Sequence, residues 1–403
     1  MKILIVSQYF WPENFKLNDL AYELSERGHE IFVITGYPNY PGGKIYRDFK
    51  TNPKRFNCVK KINIIRVPII PRGNSKLTLL LNYLSFVISS CIFGVIKLRS
   101  FTFDKILVYQ VSPITVGLPA ILFSKITKAP IYFWVLDQWP ETLVSMGVIK
   151  SKMSLYVFSL LSKYIYKNCA VILGQTESFL ENIEKYGVPK NKLRCLPNWA
   201  EDIFLKTDEV KPAKEIRKKK DDFLVLFAGN VGEAQGFDAV IKAASITEKY
   251  KNIKWVIVGK GRDWDRVKQK IDRLNLSSVE MLGQFPLSRM HEFYAAADAL
   301  LVCLKSDPLF SITVPGKLQS YLMSKKPVLG MINGEGAMLI KKAHAGICCA
   351  AEDSEGLANN ALKMSKLSKR ELDIMGKNGR DYCIKNFDRK EVIDCFESLI
   401  SEQ

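Results

Sequence analysis

Histidine is almost missing from this chain. Three occur in 403 residues, His29, His291 and His344, far apart and without H-E-x-x-H spacing, so a histidine-built metal centre is not expected. Cysteine is present but patternless. Nine are scattered from Cys58 to Cys395 with no C-x-x-C pair, which describes neither a disulfide framework nor a zinc site and makes a reducing cytoplasm the expected home. Acidic residues are in deficit: 41 Asp and Glu against 59 Lys and Arg leave a formal net charge of +18. Anionic partners follow, whether nucleic acid, an acidic membrane face or phosphorylated substrates. No low-complexity segment stands out, and 47% hydrophobic with 25% charged residues is the composition of a folded protein. The opening KILIVS is too short an apolar run for a signal peptide.

What is present is alternation. KILIVSQY, HEIFVIT, DKILVYQV, PIYFWVL, CAVILGQ and KLRCLPN read as strands, and the rhythm resumes with FLVLFAGN, KWVIVGKG, VEMLG and ALLVCL. Amphipathic helical patterns lie between several of them, so the expectation is two successive α/β domains with doubly wound parallel sheets. The basic interval 210–222, EVKPAKEIRKKKDD with its preceding Glu209, reads as a solvated linker. It has no interleaved aromatic residues to stack bases, so nucleic acid is not expected as a partner. Domain limits are placed at 1–200 and 201–385, with a last helix near 386–403 returning to the first domain. Tandem domains of this kind place ligands in the cleft where the carboxyl ends of the strands meet. Every loop after a strand is therefore a site candidate, including 11–16, 36–43, 112–113 and 137–141 in the first domain.

One apolar stretch breaks the soluble pattern. Residues 77–98, LTLLLNYLSFVISSCIFGVIKL, approach the roughly 20 residues that span a bilayer, and Arg66, Arg72, Lys76 and Arg99 flank them. Spanning would put strands of one sheet on opposite sides of a membrane. Interfacial contact with acidic headgroups is the favoured reading, with burial against the sheet the other.

Between residues 299 and 328, ALLVCL breaks into SDPLFSITVPG and restarts as the helical pattern KLQSYLMSKKPV, with Lys317 in its first turn. Free backbone N–H groups, the positive end of a helix dipole and a cation converge there, as they do where proteins hold phosphate. Equally, Pro315 and Gly316 shape an ordinary turn and Lys317 is solvated. An NAD-dependent oxidoreductase is the weakest function class, because SQYFWPEN follows the first strand where G-x-G-x-x-G would be needed.

Taken together, YFWPENFKLNDLAYELSERGHEIFVITGYPNYP, FWVLDQWPETL, LPNWAE, FAGNVGEAQGFDAVIKA, VIVGKGRDWDRV and TVPGKLQSYLMSKKPVLG resemble glycosyltransferase family 4. They are similar in particular to bacterial L-fucosamine transferases of O-antigen and capsule assembly. The resemblance implies a GT-B fold of two Rossmann-like domains facing across a cleft. It also implies transfer of a sugar, with retention and without a cofactor or metal, from a UDP-sugar to a lipid-linked saccharide acceptor at the cytoplasmic membrane face. Departures from the family pattern are informative. Where the family has G-R-x-x-x-x-K-G, this chain has Gly229-Asn230-Val231-Gly232-Glu233-Ala234-Gln235-Gly236; the glutamates of E-x7-E fall at Ile312 and Ser320; Leu136 stands where a histidine often precedes Asp137.

The expected donor site therefore comprises Asn230, Gly232 and Gln235, Lys260, Gln284 and Phe285 beside the uracil, and Pro315, Gly316 and Lys317 on the distal phosphate. Ser320 would be at the ribose. Asp137, Glu13 and Lys317 are the expected catalytic groups, and Asn14, Lys16 and Glu141 line the acceptor side. Helix-capping readings of Glu13, Asp137 and Glu141 stand beside these roles. So do two other functions, a UDP-sugar epimerase of the same fold and an inactive glycan- or membrane-binding relative.

Overall fold

A computed structural model describes residues 1–40, 42–73, 75–145, 147–149 and 151–402; Pro41 and the side chain of Lys76 lie outside the described residues. The chain forms two compact units, Met1–Leu196 with Ile393–Gln403, and Pro197–Val392.

Unit 1 is built on an eight-stranded sheet in the order β3-β4-β2-β1-β5-β6-β7-β8. Its strands are β1 (Lys2–Val6), β2 (Glu30–Gly36), β3 (Cys58–Val59), β4 (Ile62–Val67), β5 (Lys105–Gln110), β6 (Ile131–Val135), β7 (Val171–Gly174) and β8 (Leu193–Cys195). All neighbours pair in parallel except β3 with β4 at the edge. The central runs ILIV, IFVIT and ILVYQ are wholly buried, as strands covered on both faces must be. Strand order reverses beside β1, so the right-handed connections to β2 and from β5 onward lay their helices on opposite faces.

The apolar segment lies between β4 and β5. It runs as a helix Lys76–Ser89, a π-helical turn Ser90–Gly94 and a last turn Val95–Leu98. Gly94 sits so close to the sheet that a Cβ there would lie 2.3 Å from Ile34, and Phe86 and Leu98 are buried. Only 33% of its most apolar window is buried, however. Leu77, Leu80, Leu84, Ile88, Ile92 and Ile96 are exposed at helical spacing. Of the flanking cations, Arg66 is not a surface group at all. It is 4% exposed, and its guanidinium donates to the backbone oxygens of Trp11, Gly36 and Phe56. That corrects its reading as a headgroup cation: a side chain on the last turn of a buried parallel strand points into the loops above it.

The C-terminal helix Arg389–Ser401 is held to unit 1 by ion pairs of Arg27 with Asp394 (2.6 Å) and Glu397 (2.7 Å), and by His29 to Glu397 (2.7 Å).

Unit 2 has six strands, β9 (Phe223–Ala228), β10 (Ile253–Val258), β11 (Val279–Gly283), β12 (Ala299–Cys303), β13 (Val328–Met331) and β14 (Gly346–Cys349). Their order is β11-β10-β9-β12-β13-β14, the 3-2-1-4-5-6 order of a dinucleotide-binding fold with its switch point between the first and fourth strands. Alternate residues of β9 serve the two faces: Leu224 and Leu226 join one core with the helix Gly316–Met323, Val225 and Phe227 the other with the helix Phe237–Thr247.

Two expectations change here. Residues 210–222 are not a linker but part of unit 2. Ala213 is buried, Glu215 pairs with Arg289 at 2.7 Å and Lys218 with Asp298 at 2.6 Å, so the run is tied to unit 2 at these points while Lys211, Lys214, Arg217, Lys219 and Lys220 are exposed. The pattern KLQSYLMSKKPV is helical only to Met323. Lys325 takes a positive φ of 58° and Pro327 follows, which ends a helix and releases Val328 into β13.

Candidate active site

The loops after β9 and β10 interlock at the switch point of unit 2. Gly229 N–H donates to the Val258 oxygen (2.9 Å), Val231 N–H to Lys260 (3.1 Å) and Asp263 N–H back to Val231 (3.1 Å). The packing is tight enough to require glycine: a Cβ on Gly259, whose φ is +132°, would lie 1.8 Å from the Gly229 oxygen. The amide of Asn230 is folded between Gly232 and Gly261. Gln235 accepts from the Gly232 N–H at 3.0 Å, so its carbonyl end shapes the loop.

The helix Gly316–Met323 starts beside these loops, and its N-cap Pro315 supplies no side-chain hydrogen bond. Tyr321 fixes its position. The hydroxyl accepts from Ala228 N–H at 2.9 Å and donates to the Ala228 oxygen at 3.1 Å, which pins the helix to the end of β9. Lys317 is thereby aimed at the β9 loop. Its Nζ lies 3.7 Å from the centroid of the Phe227 ring and 2.8 Å from where a Gly229 Cβ would stand; it is buried with no hydrogen-bond partner. Burial pulls its pKa down to about 8. The neighbouring Cys303 offers no counter-charge, because burial pushes that thiol up to about 12. A buried ammonium without a partner is costly, and such perturbed groups cluster at functional sites. Above Lys317 lie uncapped helix N–H groups and glycine backbone, which is what a diphosphate requires.

Ser320, one turn on and 5% exposed, donates to Glu201 Oε2 at 2.7 Å. Lys260 is exposed beside the β10 loop, and Gln284 is exposed past the edge strand β11. Phe285 packs at a tilt against Phe293, ring centroids 4.6 Å apart, under the Arg289 guanidinium. Structure thus brings Lys317, Asn230, Gly232, Gln235 and Ser320 together at one switch point, with Lys260, Gln284 and Phe285 toward one side. Sequence reasoning missed Glu201, Tyr321 and Phe227. Only Glu201 carried any signal, as a carboxylate closing PNWAE.

The first-domain candidates divide. Glu13 is 2% exposed and its Oε1 accepts from the backbone N–H groups of Asn39 (2.8 Å) and Tyr40 (2.7 Å). Burial raises its pKa to about 7 against those bonds and Arg66. Through Oε1 the carboxylate clamps that loop, while its Oε2 is buried without a hydrogen-bond partner. Asn14 is exposed and Lys16 half-buried at the start of the helix Lys16–Glu26. Asp137, after β6, accepts from Thr142 Oγ1, and burial raises it to about 6 despite that bond. Glu141 turns elsewhere. It accepts from Tyr186 OH (2.6 Å) and Asn182 (3.3 Å) in a cavity of about 330 Å³ lined also by Lys163 and Lys185, so the structure does not bring it to Asp137. Arg72, also missed as a site residue, has its guanidinium 5.7 Å from the Tyr40 centroid.

Among the described residues no group of three or more His, Cys, Asp or Glu is placed to hold a metal.

Residues 209–382 match the family model of Glycosyl transferases group 1. The probable glycosyltransferase WbjE of Pseudomonas aeruginosa is 27% identical over 301 residues, 70% of this chain and 74% of that protein. The putative colanic acid biosynthesis glycosyl transferase WcaI of Escherichia coli K12 is 24% identical over 372 residues, 89% and 88% of the two chains. Among solved structures, Anabaena Alr3699/HepE in complex with UDP and glucose superposes with a TM-score of 0.70 at 18% identity, and WaaG, a glycosyltransferase involved in lipopolysaccharide biosynthesis, with 0.71 at 16%; both cover 100% of each chain. The chain has the two-domain GT-B fold of these structures, and its residues 209–382 are similar to group 1 glycosyltransferases.

Proposed function

We propose that this glycosyltransferase moves an N-acetylated deoxyhexose, L-FucNAc, with retention, from its UDP-sugar to a sugar on an undecaprenyl-diphosphate lipid in O-antigen or capsule assembly. The observation that carries the reading is the buried, partnerless ammonium of Lys317 at an uncapped helix start. As the glycosidic bond to the nucleotide breaks, negative charge grows on the diphosphate. Fixed donors and a desolvated cation stabilise such charge more than they stabilise the ground state. No metal is needed in this scheme, since Lys317 and the helix N–H groups supply the positive field. HepE, solved with UDP-glucose, supports a UDP-linked donor by analogy. WcaI, named for colanic acid biosynthesis, supports a role in polysaccharide assembly, and WbjE supports glycosyl transfer.

The lipid acceptor accords with the exposed apolar stripe of Leu77–Leu98 and with a second stripe, Met153, Tyr156, Val157, Leu160 and Tyr164, on the helix Lys152–Lys167. Tyr83 of the first helix and Phe158 of the second both pack edge-on against Trp139, so the two helices meet at one residue of unit 1. Exposed Lys97 and Arg99 border the first stripe, as contact with the acidic inner leaflet requires. UDP release from UDP-N-acetyl-L-fucosamine in the presence of a lipid-linked acceptor, unaffected by EDTA, tests the proposal. No release from any UDP-sugar would overturn it.

A further inference from the structure

Lys317 accounts for a phosphate but leaves the acidic group one turn beyond it without a role. Ser320 follows Lys317 by three residues, so both side chains rise on one face of the helix, about 4.5 Å apart along its axis. The Ser320 hydroxyl donates to Glu201 Oε2 at 2.7 Å. Glu201 itself is partly exposed, and its backbone is anchored on both sides: Trp199 and Ala200 are buried before it, and Phe204 after it stacks on Tyr294 at 4.9 Å. Tyr294 in turn meets Tyr321 edge-on at 5.3 Å, the residue that pins the helix to β9. The carboxylate is therefore held in register with Lys317 by a packed aromatic chain.

Glu201 is not the counter-charge of Lys317, whose Nζ has no partner. The field across this face thus runs from an uncompensated cation to a carboxylate within one helical turn. An anionic diphosphate is drawn to the first and repelled by the second. What suits the second is a neutral group rich in hydroxyl donors. A carboxylate only accepts, and its two oxygens match a vicinal diol, which is how acidic residues past a parallel strand read a nucleotide ribose.

We propose that Glu201, oriented by Ser320, is the ribose-recognition residue of the nucleotide site, accepting hydrogen bonds from the 2′- and 3′-hydroxyls. The assignment rests on the nucleotide-diphosphate reading of Lys317 and makes the site selective for ribonucleotides. Ser320 is a positioning residue in this scheme.

Calorimetry with UDP and 2′-deoxy-UDP on the full chain tests it. Wild type should bind UDP the more tightly, by on the order of tenfold, as for a hydrogen bond to a charged group. Glu201→Gln should weaken UDP by a similar factor while leaving 2′-deoxy-UDP nearly unchanged, so that the preference collapses; Ser320→Ala should reduce it partly. Equal weakening of both ligands by Glu201→Gln, or an unmoved preference, would overturn the assignment and leave Glu201 a structural staple. Failure of wild type to bind either ligand would overturn the nucleotide reading as well, whereas UDP binding lost on Lys317→Met with the preference intact in Glu201→Gln would overturn this inference alone. A thermal unfolding midpoint for Glu201→Gln close to wild type separates lost recognition from lost fold.

Discussion

Both sheets reverse their strand order beside their first strand, yet the ground above the two switch points is furnished in opposite ways. In unit 1 the buried ions are bonded mostly from within, and of the Glu13 carboxylate and Arg66 guanidinium only Glu13 Oε2 lacks a partner among the described residues. Glu13 holds two backbone N–H groups and Arg66 three backbone carbonyls, and aromatic rings of Tyr9, Phe15 and Tyr40 fill the space around them. In unit 2 the buried ammonium of Lys317 faces a ring and glycine backbone and has no hydrogen-bond partner among the described residues. The difference teaches which charge belongs to the fold and which to a ligand. A satisfied buried ion is a structural strut; an unsatisfied one is a cost the fold carries for what binds there.

Substitutions should separate these two cases. Arg66→Met strands three carbonyls and Glu13 together, and is expected to lower the stability of unit 1 by about 3–5 kcal/mol, measured by denaturant unfolding. Gly259→Ala forces a methyl into the Gly229 oxygen and should cost about 3 kcal/mol while abolishing UDP binding. Lys317→Met is the converse of Arg66→Met. It should raise the unfolding midpoint while weakening UDP by on the order of a hundredfold; a lowered midpoint would mean that Lys317 is a strut too.

The pH dependence divides in the same way. Burial raises the Glu13 carboxyl from 4.5 to about 7, so between those values the native state holds more protons than the unfolded one and stability falls as pH rises. Lys317 is lowered from 10.5 to about 8; between those values the unfolded state holds more protons, and stability rises with pH. Unfolding midpoints of Glu13→Gln and Lys317→Met across pH 5–10 should flatten the first and second slopes respectively. The smallest effect expected is on membrane contact. Leu84→Gln with Ile88→Gln should lower partition onto acidic vesicles about thirtyfold without changing UDP affinity, since partial insertion of each side chain contributes roughly 1 kcal/mol.

Most of the unit 2 site could be read from the sequence because its parts are local: a glycine-rich turn after an apolar run, and a lysine one residue after Pro-Gly. Glu201 could not, since its partner Ser320 is 119 residues away and no spacing rule links them. Arg66 was misread for the related reason that its neighbours in sequence are a basic flank, while its neighbours in space are carbonyls of three other loops. β13 and β14 were hidden because VLGM and GICC are too short and too small to show a period. The run 210–222 resembled a linker because charge was read without its partners, Arg289 and Asp298.

The central claim is that the Lys317 ammonium is the counter-charge of a nucleotide diphosphate. Calorimetry of UDP binding in buffers of different ionisation enthalpy at pH 8.5 tests it most directly, because an arriving phosphate must raise a pKa of about 8. The expected result is proton uptake on binding in wild type and none in Lys317→Met, with affinity in wild type falling as pH climbs above about 8. Equal proton uptake and affinity in the two proteins would contradict the account.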